Sequence, residues 1–460
     1  MNKIILSIAI IFIFSFNLFA QTYGDATLAQ IREKDKTSRD AKGKLNTLSA
    51  AEHAYRADVY SSNRVFPNAR EHWQKLIENY PNDVNLPKAY MGIGRSYMWE
   101  REYSLAITFF DDAIKNFPFT KEGRESLAFK GACQVRLGKN VEAAKTYEQY
   151  TIMFPGGERI ETSYLNIIDA LREAKKYDDA NLWVEKARQR FMGLPTETNA
   201  LFARLRMEVF QQKFENVIVT ADVLRSLRNY RDSMTSNDEV TYLKAFALEK
   251  LGRKAEAIAV YSSIPNNLSS YYAGLAEERL GKLNAPTIKL TAYSTANLLK
   301  DFPAPYKTEL LRYAKSRGID PRFVLAIMKQ ESTFRPTAKS PAAARGLLQL
   351  VLDTALKYNK QAGFPDLKDD ELYNPTINIA IGSIYIGELK KEFDNLYEAV
   401  AASYNGGEDN AARWLNRSKP KEPAIFTSEV GFAESKAYVF KVMGNYRVYR
   451  QLYTEDLVRK

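Results

Sequence analysis

One cysteine, Cys133, and two histidines, His53 and His72, are all that the 460 residues contain of either type. A single cysteine leaves no internal disulfide framework, and the apolar helical setting of Cys133, between Phe129 and Leu137, fits a small buried hydrophobe. With no histidine after His72, a Ser-His-Asp triad or a His-based zinc site is excluded from the C-terminal half. Acid-base chemistry there must rest on carboxylates, Lys or Tyr. Glycine (22) and proline (17) are scarce, which counts against all-β and fibrous folds and favours helices. What remains, 45% hydrophobic and 26% charged, is ordinary globular composition, and the length favours two or three domains.

The first twenty residues, MNKIILSIAIIFIFSFNLFA, join a basic start at Lys3 to an apolar run from Ile4 to Phe19, closed by Ala20 and followed by polar Gln21 and Thr22. This is the layout of a secretory signal peptide cleaved near Ala20. A retained inner-membrane anchor is the alternative. A spanning helix wants about 20 apolar residues, and Asn17 leaves this run short. No cysteine near the cut allows lipid attachment. The expected location is the periplasm, with no stable membrane span after cleavage. The net charge of +11 points to an acidic partner. An exported protein rarely meets nucleic acid, whereas peptidoglycan carries carboxylates on its stem peptides and lactyl groups. A generally basic solvated surface would give the same balance.

Internal periodicity marks the N-terminal half. Tyr80-Pro81, Phe117-Pro118 and Phe154-Pro155 recur every 37 residues, Phe191 continues the series, and Ala106, Ala143 and Ala180 keep the same spacing. LGKNVEAAKTY from Leu137 is echoed by LGRKAEAIAVY from Leu251. Small residues at fixed offsets let paired helices approach closely, and prolines close each unit. The pattern resembles tetratricopeptide repeats, whose usual period is about 34 residues. The expected organisation is a signal peptide (1–20), an N-terminal segment (21–61), a repeat domain (62–268) stacked as a helical superhelix, a helical linker (269–302) and a compact domain (303–460). The repeats suit either a concave surface for a glycan strand or cell-wall protein partner, or a scaffold that only positions the rest. In the linker, 269–283 reads as an amphipathic helix with Tyr272, Leu275 and Leu280 inward. The prolines at 303 and 305 then mark a boundary.

In GIDPRFVLAIMKQESTFRP, Asp320 is a suitable N-cap and Pro321 a suitable first helical residue. Val324, Ile327 and Met328 define an apolar face, and Glu331 follows at seven, four and three residues, on the same face. It lies near the helix C-terminus, where the macrodipole disfavours negative charge. Partial burial acts in the same direction, so a raised pKa is expected. A carboxylic acid kept protonated near neutrality is what protonating a glycosidic oxygen requires. On this helix alone, a glutamate held by a nearby cation fits as well.

Further motifs follow: Ser340-Pro341, Gly346-Leu347-Leu348-Gln349-Leu350, Ser403-Tyr404-Asn405-Gly406-Gly407, and Phe432-Ala433-Glu434-Ser435-Lys436-Ala437-Tyr438. Together with Gln330-Glu331-Ser332 they resemble, over about residues 303–460, the catalytic domain of the soluble lytic transglycosylases. The resemblance implies an all-α protein, a tetratricopeptide-like superhelix followed by a lysozyme-like, mainly helical catalytic domain. It implies Glu331 as the single catalytic glutamate, with Ser340 and Gln349 lining the sugar groove. Tyr404 and Asn405 would stand beside the glutamate, the tyrosine hydroxyl approaching its carboxyl, and Glu434 and Tyr438 would be groove residues. Val351-Leu352 stand where the family has Met-Pro, Ser403 and Gly406 replace two alanines, and Ser428 takes the place of an acid, with Glu429 next to it. Taken singly, Ser340 also suits a turn before Pro341, Gly346 a close backbone approach, Tyr404 to Gly407 a helix cap, and Tyr438 a place in the core.

The activity implied is cleavage of the bond between N-acetylmuramic acid and N-acetylglucosamine, with closure of a 1,6-anhydro ring and no metal or organic cofactor. A hydrolytic muramidase of the same fold and a non-catalytic peptidoglycan-binding scaffold are the alternatives.

Overall fold

The computed structural model describes residues 23–227, 230–286 and 295–460; the expected signal peptide lies outside them. Every regular element among the described residues is helical. They divide into two compact units, one ending at Met192 and the other formed by residues 193–340 and 344–460.

The 37-residue spacing is a helix-pair register. Helices Phe66–Asn79, Tyr103–Asn116, Asn140–Met153 and Tyr177–Arg190 start and stop 37 residues apart. Their partners, Ala50–Ser62, Leu86–Trp99, Lys121–Arg136 and Ile160–Glu173, end at the same interval. Tyr80, Phe117 and Phe154 close the second helix of each pair at φ −133°, −136° and −133°. Each precedes a proline, whose ring pushes the preceding residue out of the helical region. Ala69, Ala106, Ala143 and Ala180 are fully buried, small enough to let the partner helix in. Gly94 and Gly131, again 37 apart, serve the same end: a Cβ on either would lie 2.6 Å from the Phe110 or Tyr147 ring.

The first pair of this unit holds both histidines, fully buried. The Leu48 N–H donates to His53 Nε2 at 2.9 Å, and His53 Nδ1 faces His72 Nδ1 at 2.9 Å. His72 Nε2 meets Asp35 Oδ2 at 3.0 Å, and Asp35 also accepts from Tyr60 and Arg56. Because His53 Nε2 accepts, its proton sits on Nδ1; His72 Nδ1 therefore accepts, and His72 Nε2 carries the proton given to Asp35. A second proton on the pair would set two N–H groups against each other or break the Leu48 bond. Burial, then the nearness of His72, Lys75 and Arg56, hold His53 down to about 4 against the pull of Asp35. The unfolded chain thus binds a proton below about pH 6.5 that the folded chain refuses, and stability falls as pH falls from there toward 4. Acidification from pH 7 to 5 is expected to cost this unit roughly 2 kcal/mol. In NMR the His53 ring should stay neutral at pH 5; titration near 6.5 would contradict the assignment.

In the second unit, helices Pro195–Phe210 and Phe214–Leu227 keep the 37-residue register. Helix Tyr271–Lys282 buries Tyr272 and Leu280 and half-buries Leu275. Helix Pro321–Glu331 lies in the middle of the core, with Pro321 through Met328 all buried. Asp320 caps it by accepting from the Arg322 N–H at 2.9 Å, and takes a second bond from the Tyr446 hydroxyl at 2.8 Å. Tyr446 belongs to the last helix, Ala433–Leu452, which runs antiparallel to Pro321–Glu331 and meets its other end through Tyr438. The last helix is also tied to helix Asn237–Lys250 by a buried ion pair, Lys436 Nζ to Glu239 Oε2 at 2.8 Å. Glu239 accepts from the Tyr272 and Thr235 hydroxyls as well, at 2.6 and 2.8 Å.

Candidate active site

Glu331 is the last residue of its helix. The chain turns away at once through Thr333 and Phe334, both left-handed at φ 50° and 62°, a conformation that costs a non-glycine residue free energy and is often found at functional sites. The Tyr438 hydroxyl donates to Glu331 Oε1 at 2.6 Å. That bond favours the carboxylate, but burial opposes it and is the larger effect; the charge of Glu434 adds to burial, and the carboxyl is pushed up to about 7. A substantial fraction of Glu331 is therefore protonated at neutral pH. The expectation of a raised pKa from partial burial agrees with this.

Of the two tyrosines, Tyr438 makes the carboxyl bond. Tyr404 donates instead to the Leu348 carbonyl at 2.6 Å, its ring packed against Tyr385 at 5.3 Å between centroids. Tyr404 is still close enough for the Glu331 charge to add to burial in holding its hydroxyl protonated, well above the usual range. Tyr438 is held the same way, by burial and by Glu331. Replacing Tyr438 with Phe removes a donor to the charged form, so the alkaline limb of the pH–rate profile should move up by about one unit. A limb that stays in place would show that the bond does not set the acid's strength.

The loop carrying Gln349 is held on its backbone. The Ser332 hydroxyl donates to the Leu347 carbonyl at 2.8 Å, and Asn378 Oδ1 accepts from the Leu348 N–H at 2.8 Å. Asn378 Nδ2 donates to the carbonyls of Arg345 and Leu372, at 3.0 and 2.8 Å. Gly346 turns the loop at φ 80°, where a Cβ would lie 2.2 Å from the Leu372 oxygen. Gln349 spends both amide protons on the Ala338 and Gly346 carbonyls, at 3.0 and 2.9 Å, so its Oε1 remains as acceptor. Ser340 Oγ accepts from the Ala344 N–H at 3.1 Å and shapes the same loop.

Asn405 Oδ1 accepts from the buried Ser435 hydroxyl at 2.6 Å, which turns its Nδ2 into the donor on offer. An alanine at 406 would put its Cβ 2.7 Å from Ser435 Oγ, so glycine there makes room for this bond. Glu434, in the first turn of the last helix, is exposed. Glu429 is not a second site acid: it is buried, with its carboxylate 3.5 Å from Arg417 and 3.6 Å from Arg206.

Asn378 was outside the motif reading. Its signal is a polar residue inside the apolar run Ile377, Ile379, Ala380, Ile381, since a buried amide must find partners. No group of three metal-ligating side chains stands together among the described residues.

The elements and the site define the protein's class: among the described residues an all-helical chain, in which tetratricopeptide-type helix pairs precede a domain whose core helix ends in the half-buried Glu331, raised to about 7. Residues 310–426 match the Transglycosylase SLT domain, and residues 88–120 a tetratricopeptide repeat. The matched SLT stretch contains Glu331, Ser340, Gln349, Tyr404 and Asn405 and ends before Glu434 and Tyr438. The soluble lytic murein transglycosylase of Salmonella typhimurium is 32% identical over 156 residues, 34% of this chain and 24% of that protein. A putative soluble lytic murein transglycosylase of Haemophilus influenzae is 26% identical over 307 residues, 63% of this chain and 49% of that one. The chain thus spans between a quarter and a half of these curated relatives. The structure of the 70 kDa soluble lytic transglycosylase of Escherichia coli matches 95% of this chain and 86% of its own at a TM-score of 0.50 and 18% identity. An inactive mutant of the Pseudomonas aeruginosa lytic transglycosylase Slt gives 0.52 at 16% identity, over 92% and 84%. These structures share the fold, a helical repeat region with a lysozyme-like domain. Residues 310–426 thus match the Transglycosylase SLT domain, and over part of its length the chain is similar to soluble lytic murein transglycosylases.

Proposed function

We propose that this protein is a peptidoglycan lytic transglycosylase that cleaves the β-1,4 bond between N-acetylmuramic acid and N-acetylglucosamine, leaves 1,6-anhydro-N-acetylmuramic ends, and serves cell-wall remodelling or turnover. The observation that carries the reading is Glu331, raised by burial to about 7 while bonded to Tyr438. At that value one group can serve as both acid and base at neutral pH. Glu331 protonates the glycosidic oxygen, and the bond to the muramic C1 breaks. The substrate's acetamido oxygen stabilises the cationic centre. Asn405 Nδ2, a donor, and Gln349 Oε1, an acceptor, are complementary to the carbonyl and N–H of that acetamido group. Glu331, now a carboxylate charge-assisted by Tyr438, takes the proton from the C6 hydroxyl as its oxygen attacks C1. Ser340, Glu434 and Tyr404 shape the groove around this pair.

The leader read at residues 1–20 supports a periplasmic site for the reaction, and no described helix is long and apolar enough to cross a membrane. Digestion of purified peptidoglycan in heavy-oxygen water tests the chemistry. Products without label support internal ring closure, whereas one heavy oxygen per new end would make the protein a muramidase. Binding without release of fragments would make it a scaffold.

A further inference from the structure

A cavity of about 450 Å³ opens at the ends of the two antiparallel helices that lie away from the Tyr438–Glu331 bond. Arg322, on its wall, stands nine residues before Glu331, roughly 13 Å back along the helix axis. On the last helix, Arg447, Arg450 and Gln451 stand at i, i+3 and i+4, one face, and Arg447 comes nine residues after Tyr438. Glu277 of helix Tyr271–Lys282, with Glu455 and Lys460 at the end of the chain, closes the sides. The cavity is thus separate from the reacting centre.

Its floor is neutralised. The buried Arg322 grips Asp320 through Nε and Nη2, donates from Nη2 to Glu455 at 3.1 Å, and from Nη1 to the Tyr453 carbonyl at 3.3 Å. The half-buried Arg447 donates from Nη2 to Glu277 at 2.5 Å and from Nη1 to the Asn267 carbonyl at 3.1 Å. Each carboxylate of the lining is thereby held by one guanidinium. The next acid in the chain, Asp456, is bonded to Lys315, and Lys307 acts on it too. The rim is not neutralised. Arg450 lies over the Tyr446 ring, 5.6 Å from its centroid, and its guanidinium meets no carboxylate among the described residues. Lys460 Nζ donates to the uncharged Arg450 carbonyl at 2.7 Å, and the Lys460 backbone N–H donates to the Leu452 carbonyl at 3.0 Å, which pins the lysine at the cavity. Two uncompensated cations and the exposed Gln451 amide therefore line one hollow.

We propose that this cavity is an anion site for a phosphate group, free or on a lipid headgroup, with Arg450 and Lys460 meeting its oxygens and the Gln451 amide donating a further bond. A planar guanidinium fork beside a compact ammonium matches a tetrahedral oxyanion, which presents oxygens in more than one plane. A volume in the lower part of the usual ligand-site range, about 300–1,000 Å³, admits a group of this size and not a polymer strand. The bound anion ties the last helix to the chain end beside it, so occupancy stabilises the folded second unit by mass action. Two of the charges behind the net +11 find their use here, independently of the peptidoglycan chemistry.

The test is thermal melting of the full chain in sodium phosphate against sodium chloride of matched ionic strength. The midpoint should rise with phosphate and saturate. Phosphate also strengthens burial in proteins generally, so the reading is the difference from Arg450→Gln and Lys460→Gln. Each should weaken half-saturation by roughly tenfold, the loss of about one charge-assisted contact. Both side chains are exposed, so the variants should melt like wild type in chloride. An equal response in wild type and variants, or a rise that never saturates, overturns the proposal. In NMR the Gln451 side-chain amide should shift with phosphate in wild type and stay in place in R450Q; no shift in wild type overturns it as well. Vesicles of phosphatidylglycerol separate the two sources. Co-sedimentation that phosphate competes away and R450Q lacks assigns the site to a headgroup, and a saturable phosphate response without sedimentation assigns it to the free ion. Sedimentation that survives in R450Q, with no phosphate response, shows surface charge alone and overturns the cavity site.

Discussion

Glu331→Gln is expected to lower turnover of peptidoglycan by roughly a thousandfold or more, since no second acid stands ready at the glycosidic oxygen. The same substitution should stabilise the fold above neutral pH. The folded-state pKa, about 7, is raised above the usual carboxyl value of 4.5. Below about pH 4.5 the carboxyl is neutral whether folded or unfolded, and glutamate and glutamine are equivalent. As pH rises through 4.5 toward 7 the unfolded chain releases a proton that the folded chain retains, so wild-type stability falls. Glutamine cannot ionise, accepts the same Tyr438 bond, and avoids this loss. At pH 8 the variant should be more stable by roughly 2–3 kcal/mol. Denaturant melts of both proteins at pH 4.5 and 8 check it: a gap that opens with pH supports a buried acid held against its charge. An equal or less stable variant at pH 8 contradicts it.

Lys436→Met should destabilise the second unit by about 3–5 kcal/mol, the usual effect of leaving one member of a buried ion pair uncompensated. Lys436 is only 2% exposed and Glu239 fully buried. Burial already pulls the ammonium down to about 8 against the attraction of Glu239. With the lysine gone, Glu239 keeps its bonds from Tyr272 and Thr235, but its buried carboxylate loses the ammonium that faces it. Lys436 lies two residues before Tyr438 and one after Ser435, so lost packing there reaches both the Glu331 carboxyl and the Asn405 amide. Activity should fall with stability. The double variant Lys436→Met with Glu239→Leu should recover most of the loss, because replacing both partners with apolar groups removes the stranded charge. Denaturant unfolding of the two singles and the double gives the coupling; a single-variant loss under about 1 kcal/mol would show the pair to be of little consequence.

The repeat register was readable because its stops are chemical: an aromatic residue closes each second helix before proline, and an alanine marks each close approach. The same interval runs further than those marks, from the Ala50–Ser62 helix to the Phe214–Leu227 helix. At those ends the proline is missing or the alanine is replaced by Val217; the expected repeat domain, 62–268, took in the later helices and began at the end of the Ala50–Ser62 helix. Glu331 was readable because the apolar face of one helix points to it. Its partner was not. The Tyr438 bond joins residues 107 apart through antiparallel helix packing, and resemblance had directed attention to the Tyr404 hydroxyl. Lys436 and Glu239 pair across nearly half the chain, and each alone reads as an ordinary surface charge. The uses of Gln349 and Asn405 also depend on which of their amide atoms the loop and Ser435 occupy, information that no spacing contains.

The most direct measurement is mass spectrometry of the soluble fragments released from purified peptidoglycan by the protein lacking residues 1–20. Fragments ending in 1,6-anhydro-N-acetylmuramic acid are expected, released by wild-type protein and absent with Glu331→Gln. Fragments heavier by one water, with reducible ends, would contradict the ring closure assigned to Glu331.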